Sequence, residues 1–372
     1  MPPDHEFIVV GAGLLGLAAG RALAGRGRDV LVLEQATVGH LGGGSHGSCR
    51  IFRAGYDDPG YVAMARRARE LWRDLEDESG QRILRPTAHL TFGDGLHAIQ
   101  DGMRRAGAPG ELLPAGEVAA RFPGIAVGGP ALLEPESCVI AADRALRALA
   151  AATPQVRTGV RVTGIEDDGR QVTLRTEGGR ALTAGQVIVC AGPWTARLLA
   201  TAGIIVPSAP TLEQVAYLAA AGQPPEMPIF ICHSARGGPS PYGLPVPDSP
   251  LYKIGLHHSG PAADPDRPGQ DGEASLTARL ARFAEQYLPD FGPQPVRTER
   301  CIYDNTPDDD FILDRTGRIV IGSGTSGHGF KFGPLFGGWL AGLAAGQPAG
   351  PEIARFGLGR FSAPAVAGSG SQ

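Results

Sequence analysis

The apolar run Phe7-Ile8-Val9-Val10 leads straight into Gly11-Ala12-Gly13-Leu14-Leu15-Gly16, and no other stretch restricts the fold as tightly. A short apolar run of this kind reads as a buried strand. Residues from Leu17 to about Leu23 read as an apolar helix, and Val30-Leu31-Val32-Leu33 as a second buried strand ending in Glu34. Gly-x-Gly-x-x-Gly between a strand and a helix, with an acid following the next strand, is the βαβ dinucleotide fingerprint. Gly11 permits the tight turn, Gly13 leaves the backbone open to a pyrophosphate, and Gly16 lets the helix pack close on the strand. Around Leu14 and Leu15 the helix start offers free N–H groups and a positive dipole end to phosphates. Glu34 suits a ribose hydroxyl, which favours FAD or NAD over NADP. In a chain with 55 glycines the bare glycine pattern means little. The strand, helix and acid around it give it weight.

At 372 residues the chain can bury a large core, and two domains are expected. A net charge of −4 with interspersed signs and no basic stripe argues against nucleic acid. No apolar run has membrane-spanning length, and no signal peptide is visible. Five widely spaced cysteines without a C-x-x-C suggest a reducing cytoplasm, with no disulfide framework and no metal site.

After Glu34 comes a polar, Gly-rich loop from Gly39 to Arg50. The 4-3-4 spacing of Met64, Ala68, Leu71 and Leu75 predicts a helix from about Tyr61 to Glu78. Leu84 to Glu134 reads as a separate lobe with short strands. Asp143 is expected to cap a helix running through Ala151. Val156 to Leu182 alternates as a β-meander, and Gln186 to Cys190 is a buried strand ending in Ala191-Gly192-Pro193-Trp194. Four strand-like runs follow between Val215 and His258, then a helix from about Leu276 to Tyr287. Strands are expected near Cys301, at Phe311 to Leu313 and at Ile319 to Ile321. The Gly-rich run from Gly322 to Gly329 opens a last helix, Pro334 to Ala345, and the residues after about Phe361 read as a frayed tail. The fold class expected is α/β: a Rossmann-like FAD-binding domain with an inserted α+β substrate domain built on an antiparallel sheet. Residues 1–85, 140–214 and 299–372 are assigned to the first, and 86–139 and 215–298 to the second.

Four groups of residues could carry chemistry. Arg50 and Arg53 follow the first Gly-rich loop and invite an anion, or else they pair with Asp57 or Asp58 on the surface. Period-two counting places Lys253, Gly255 and His257 on one strand face, aimed at a cleft or simply solvated. A lone cysteine such as Cys301 is ordinarily a small buried hydrophobe. Gly327, Gly329 and their neighbours at a helix start form a cradle of N–H donors suited to a flavin carbonyl, with Lys331 as an added cation. His328 caps this loop or takes part in the site.

These motifs occur in an order that resembles the monomeric sarcosine oxidase and N-methyltryptophan oxidase family, within the D-amino-acid-oxidase-like flavoproteins. They are the N-terminal fingerprint, Ser-His-Gly-x-x-Arg-Ile-x-Arg at 45–53, Tyr-Gly-x-Pro at 242–245 and Lys-x-Gly-x-His at 253–257. Cys-x-Tyr-x-Asn-Thr at 301–306 and Ser-Gly-His-Gly-Phe-Lys-Phe at 326–332 complete the set. The resemblance implies FAD linked covalently through Cys301. It implies a substrate carboxylate held by Arg53 and Lys331, and Lys253 near the flavin N5 as the promoter of O2 reduction. Tyr242 and His257 would line the substrate cavity, and His46 and Arg50 would lie by the flavin ring. Ser45, Val162, Ala191, Gly192, Trp194, Gly327, His328, Gly329 and Phe330 are placed with the cofactor. The reaction implied is oxidation of a secondary, N-methyl or cyclic, α-amino acid to an imine, with O2 reduced to H2O2. The enzyme would be a cytoplasmic monomer whose partners are its amino-acid substrate and O2. Cys49 departs from the family's threonine, and the segment from Ile231 to His233 differs as well. A dehydrogenase using another electron acceptor and a non-catalytic flavoprotein subunit are the alternatives. An intact Lys253 argues against the first, and retention of Arg53, Lys253, Cys301 and Lys331 together argues against the second.

Overall fold

The structure, a computed structural model, describes residues 2–220, 222, 226–233, 239–267 and 273–362. The tail expected after Phe361 lies almost wholly outside them. Five strands form a parallel layer. His5–Val10 lies between Val30–Leu33 on one side and the second half of Ala181–Val189 on the other. Val156–Arg157 extends the layer beyond Val30–Leu33, and Ile319–Ser323 extends it beyond Ala181–Val189. The central strands read as continuous apolar runs because both their faces are covered. Val9 and Val30 face one core, and Ile8 and Leu31 face the other.

The helix Leu14–Ala24 packs beside the helix Gly333–Ala344, which a short helix, Pro351–Ala354, follows. Small residues permit the approach: a Cβ on Gly337 would lie 2.4 Å from that of Ala18. The long helix Pro59–Ser79 closes the same core with Trp72 and Leu75, both fully buried. Each such large side chain contributes roughly 1.5–3 kcal/mol of burial energy.

The second layer is an eight-stranded sheet. Its order is Arg297–Asn305, Ala209–Ala219, Leu251–His257, Ser240–Pro245, Ile229–His233, His89–Gly93, Ala131–Glu134 and Glu111–Leu113. Neighbours are antiparallel except at one joint, where His89–Gly93 runs parallel to Ile229–His233. That joint fuses the early lobe to the later strands. The strand carrying Cys301 belongs to this sheet, paired with Ala209–Ala219.

Four local features differ from expectation. The first helix begins at Leu14, not Leu17, because Gly13 already adopts the extended conformation of an N-cap. Val156–Arg157 joins the parallel layer rather than the meander, and the meander's last strand runs unbroken into the buried strand ending at Val189. Asp143 caps nothing: the N-cap position is Ala141, and Asp143 lies in the first turn, paired with Arg147. Cys49–Phe52, read as the end of a loop, is a strand paired with Cys138–Ala141. It buries Cys49 and Phe52 and leaves the arginines between and after them aimed elsewhere.

Candidate active site

The parallel strands all end on one side. Their carboxyl ends run into Gly11, Glu34, Ala191 and Gly324. Open α/β sheets bind ligands in the crevice at this edge. A cavity of about 620 Å³ opens there, and the second sheet roofs it. Its walls include Gly11, Gly13, Leu14, Leu15, Glu34, Ser45, His46, Arg50, Arg53, Val162, Ala191, Gly192 and Trp194. They also include Tyr242, Lys253, His257, Cys301, Gly327, His328, Gly329, Phe330 and Lys331. Of the residues given a cofactor, substrate or catalytic role from the sequence, Gly16 alone is not a wall residue. A Cβ on it would fall 1.8 Å from the Gly11 carbonyl oxygen, so it serves the fit of helix to turn.

The fingerprint end is shaped for close approach. Gly11 has φ +101°, and a Cβ there would strike the Cys190 carbonyl at 2.3 Å. A Cβ on Gly13 would meet the Ser45 side chain and nothing else within 4 Å. The Leu14 N–H donates to Ser45 Oγ (3.1 Å). Glu34 is buried, and its oxygens accept the Ala12 and Ala36 N–H groups, each at 2.9 Å. A carboxylate has capacity left for a further donor.

At the opposite end, cations from three segments converge. Arg50 donates to the carbonyls of Cys49 (3.0 Å), Gly44 (3.1 Å) and His46 (2.6 Å), and its Nη2 lies 3.9 Å from Cys301 Sγ. His46 sits with Nδ1 against the Gly43 carbonyl and Nε2 against that of Arg300. Lys253 is not a solvated strand residue. It is buried, and its Nζ donates to the Cys49 carbonyl (3.2 Å). Burial, and then the nearby Arg50, hold its pKa below the usual lysine value.

Arg53 forms no ion pair with Asp57 among the described residues, and Asp58 is taken by Arg355 and by the Gly60 N–H. The Arg53 guanidinium lies over the Tyr56 ring (4.4 Å), and its Nη1 is buried without a hydrogen-bond partner. Lys331 Nζ donates to Tyr56 Oη (2.7 Å) and to the His328 carbonyl (3.1 Å). Burial and Arg53 push its pKa well down. Burial, with Lys331 close by, holds His328 down to about 3, and burial with His258 beside it holds His257 well below the ordinary value. These histidines are neutral at ordinary pH.

The model of the family described as FAD dependent oxidoreductase matches residues 6–343. The chain belongs to this family. FAD dependent oxidoreductases similar to it include the peroxisomal sarcosine oxidase of Homo sapiens, 36% identical, with 96% of each chain covered. The monomeric sarcosine oxidase of Bacillus sp. (strain NS-129) is 32% identical over 97% of this chain and 98% of its own. Among solved structures, the open form of NikD, an amino acid oxidase of nikkomycin biosynthesis, superposes with a TM-score of 0.85. It is 26% identical, covering 95% of this chain and 97% of that one.

The residues present fit the family's cofactor. Gly13 leaves bare backbone facing the cavity, and the first-turn N–H groups of Leu14–Ala24 have no intrahelical acceptor. The second Gly-rich loop is equally specific. Gly327 has φ +73°, and a Cβ there would lie 2.1 Å from the Tyr303 ring. Asp304, unremarked in the sequence, accepts from Ser323 Oγ (2.5 Å) and the Gly324 N–H (2.8 Å), and so fixes that loop. Burial raises its pKa. Tyr56 was likewise missed, although it follows Arg53 by three residues in the connection between the strand Cys49–Phe52 and the helix Pro59–Ser79. His233, which had no assigned part, is a cavity wall residue whose Nε2 is buried without a partner.

Proposed function

We propose that the protein is an FAD-dependent oxidase of N-substituted α-amino acids, N-methyl or cyclic, yielding an imine and H2O2. The observation that carries this reading is the pair Arg53 and Lys331. They come from distant segments, are turned into one cavity, and leave a guanidinium N–H of Arg53 unsatisfied. A buried cation with a vacant donor calls for an anion, and a charge-assisted hydrogen bond contributes roughly 1.5–3 kcal/mol. The sarcosine oxidases similar to this chain act, by their names, on an N-methyl amino acid whose carboxylate would meet that need.

FAD, when bound, supplies the chemistry: it accepts two electrons from the C–H bond beside the amine nitrogen and is reoxidised by O2. The chain's own residues do the rest. Gly11, Gly13 and the N–H groups at Leu14 and Leu15 would hold the pyrophosphate, and Glu34 the ribose. Arg53 and Lys331 would fix the carboxylate so that the reacting carbon is held in one place, an entropic advantage over a freely tumbling amine. Tyr242 and His257 would wall the substrate side. The neutral His257 and His328 add no competing charge and leave the two cations to attract the carboxylate. Lys253 would stabilise negative charge developing on oxygen, an effect that its dry surroundings magnify. Cys301, beside Arg50, would carry a covalent link to FAD. The protein would act as a cytoplasmic monomer; among the described residues no helix is long and apolar enough to cross a membrane.

The test compares an N-methyl amino acid with its decarboxylated amine in wild type, Arg53→Ala and Lys331→Ala. Each substitution is expected to lower the kcat/KM ratio between the two substrates about 10- to 100-fold. An unchanged ratio in both would remove the reason for naming amino acids as substrates.

A further inference from the structure

Glu134 closes the strand Ala131–Glu134 as a carboxylate only 2% exposed. Its Oε2 accepts the N–H groups of Ala54 (3.0 Å) and Gly55 (2.8 Å), the two residues that follow Arg53. A Cβ on Gly55 would lie 2.3 Å from Oε1, so only glycine brings that backbone so close. Oε1 faces His89 Nδ1 at 2.7 Å, and the two residues are paired across neighbouring strands. The other ring nitrogen of His89 is buried without a partner. A neutral imidazole donating from Nδ1 satisfies this arrangement, since Nε2 then needs no acceptor.

We propose that Glu134, held by His89, is the positioning residue of the carboxylate clamp: it aims Arg53 through the backbone that follows it and supplies a buried negative charge to offset the two cations. This rests on the clamp reading above. Two buried cations with no acid beside them would repel each other, and the lysine would shed its proton. Arg53 and Lys331 with Glu134 leave one net positive charge, which the substrate carboxylate brings to zero. Burial and Arg53 both lower the Lys331 pKa, and Glu134 opposes them. The other groups facing Lys331 hold their charge over the working range. Tyr56 is pushed up to about 12 by burial, His328 is down at about 3, and burial also depresses His257 and His89. That leaves Lys331, whose pKa burial and Arg53 lower, as the group whose charge changes with pH here.

The experiment uses the holoenzyme and propanoate, a carboxylate with no amine to titrate. Binding is followed by the perturbation of flavin absorbance and by calorimetry from about pH 6 to 10. Affinity should fall as pH rises through the Lys331 pKa. Glu134→Gln should move that midpoint down by about one unit. Lys331→Met should bind weakly and show no midpoint. A wild-type midpoint retained in Glu134→Gln overturns the role given to Glu134. Propanoate bound as tightly by Lys331→Met as by wild type overturns the clamp itself. Should Glu134→Gln yield no folded protein, Glu134→Asp keeps the charge but withdraws it by one methylene. It should shift the midpoint the same way by less, and no shift there also overturns the proposal.

Discussion

Adding one methyl group to Gly13 separates folding from cofactor binding. Gly13 has φ −75° and ψ −170°, which alanine adopts without strain. The new Cβ would touch Ser45 Oγ at 3.0 Å, the end of a short side chain that can turn away. Restricting the unfolded chain contributes about 0.4–1 kcal/mol in favour of the variant, so its apo stability should stay within about 1 kcal/mol of its parent. The same methyl would stand where a pyrophosphate approaches the backbone. Forcing an extra methyl into a fitted contact costs about 1–3 kcal/mol, or about 5- to 150-fold in affinity. The measurement is an FAD titration by flavin fluorescence in a Cys301→Ser background, which removes the proposed covalent link, with thermal melts of the apo forms beside it. Gly16→Ala is the contrast: its Cβ would fall 1.8 Å from a backbone oxygen, so folding itself should fail. Gly13→Ala binding FAD as tightly as its parent would refute the placement of the pyrophosphate over Gly13.

Lys253→Met should slow flavin reoxidation by about 10²- to 10³-fold while changing reduction little, as expected when a preorganised charge is removed from a dry site; stopped-flow measurement of the two half-reactions decides it, and equal losses would count against the role. Cys301→Ser should release into the supernatant, on acid precipitation, flavin that wild type keeps in the pellet. Stability should fall on acidification, because His328 and His233 titrate at about 3 and about 4 when folded but near 6.5 when unfolded. The unfolded chain therefore binds more protons between these values, and each histidine costs about 2 kcal/mol at about pH 5 relative to neutrality. Urea melts of wild type and His328→Asn at the two pH values should show a smaller acid loss in the variant.

The nucleotide half of the molecule was legible because its signals are local. A strand, three glycines and an acid lie within 28 consecutive residues, from Phe7 to Glu34, and the structure only moved the helix start from Leu17 to Leu14. The cations of the site were legible as motif members, but their surroundings were not. Whether Arg53 met Asp57 or a cavity, and whether Lys253 faced water, depends on how segments far apart in the chain come together, as Lys253 does with the Cys49 carbonyl. Spacing does not encode that. Glu134 and His89 carry a weaker signal, an acid and a histidine each ending or opening an apolar strand, and nothing local says that they meet. Asp143 shows the reverse error: good capping chemistry at the wrong offset, since the N-cap position lies two residues earlier, at Ala141.

Whether this cavity oxidises an N-methyl amino acid at the expense of O2 can be read from the flavin itself. The purified holoenzyme is mixed anaerobically with sarcosine and, separately, with a cyclic amino acid such as proline, and then opened to air. The visible flavin absorbance should bleach with at least one of them and return on aeration, with one H2O2 formed per substrate consumed. A flavin that stays yellow with both, or that bleaches and recovers only when an artificial electron acceptor replaces O2, would contradict the assignment as an amino-acid oxidase.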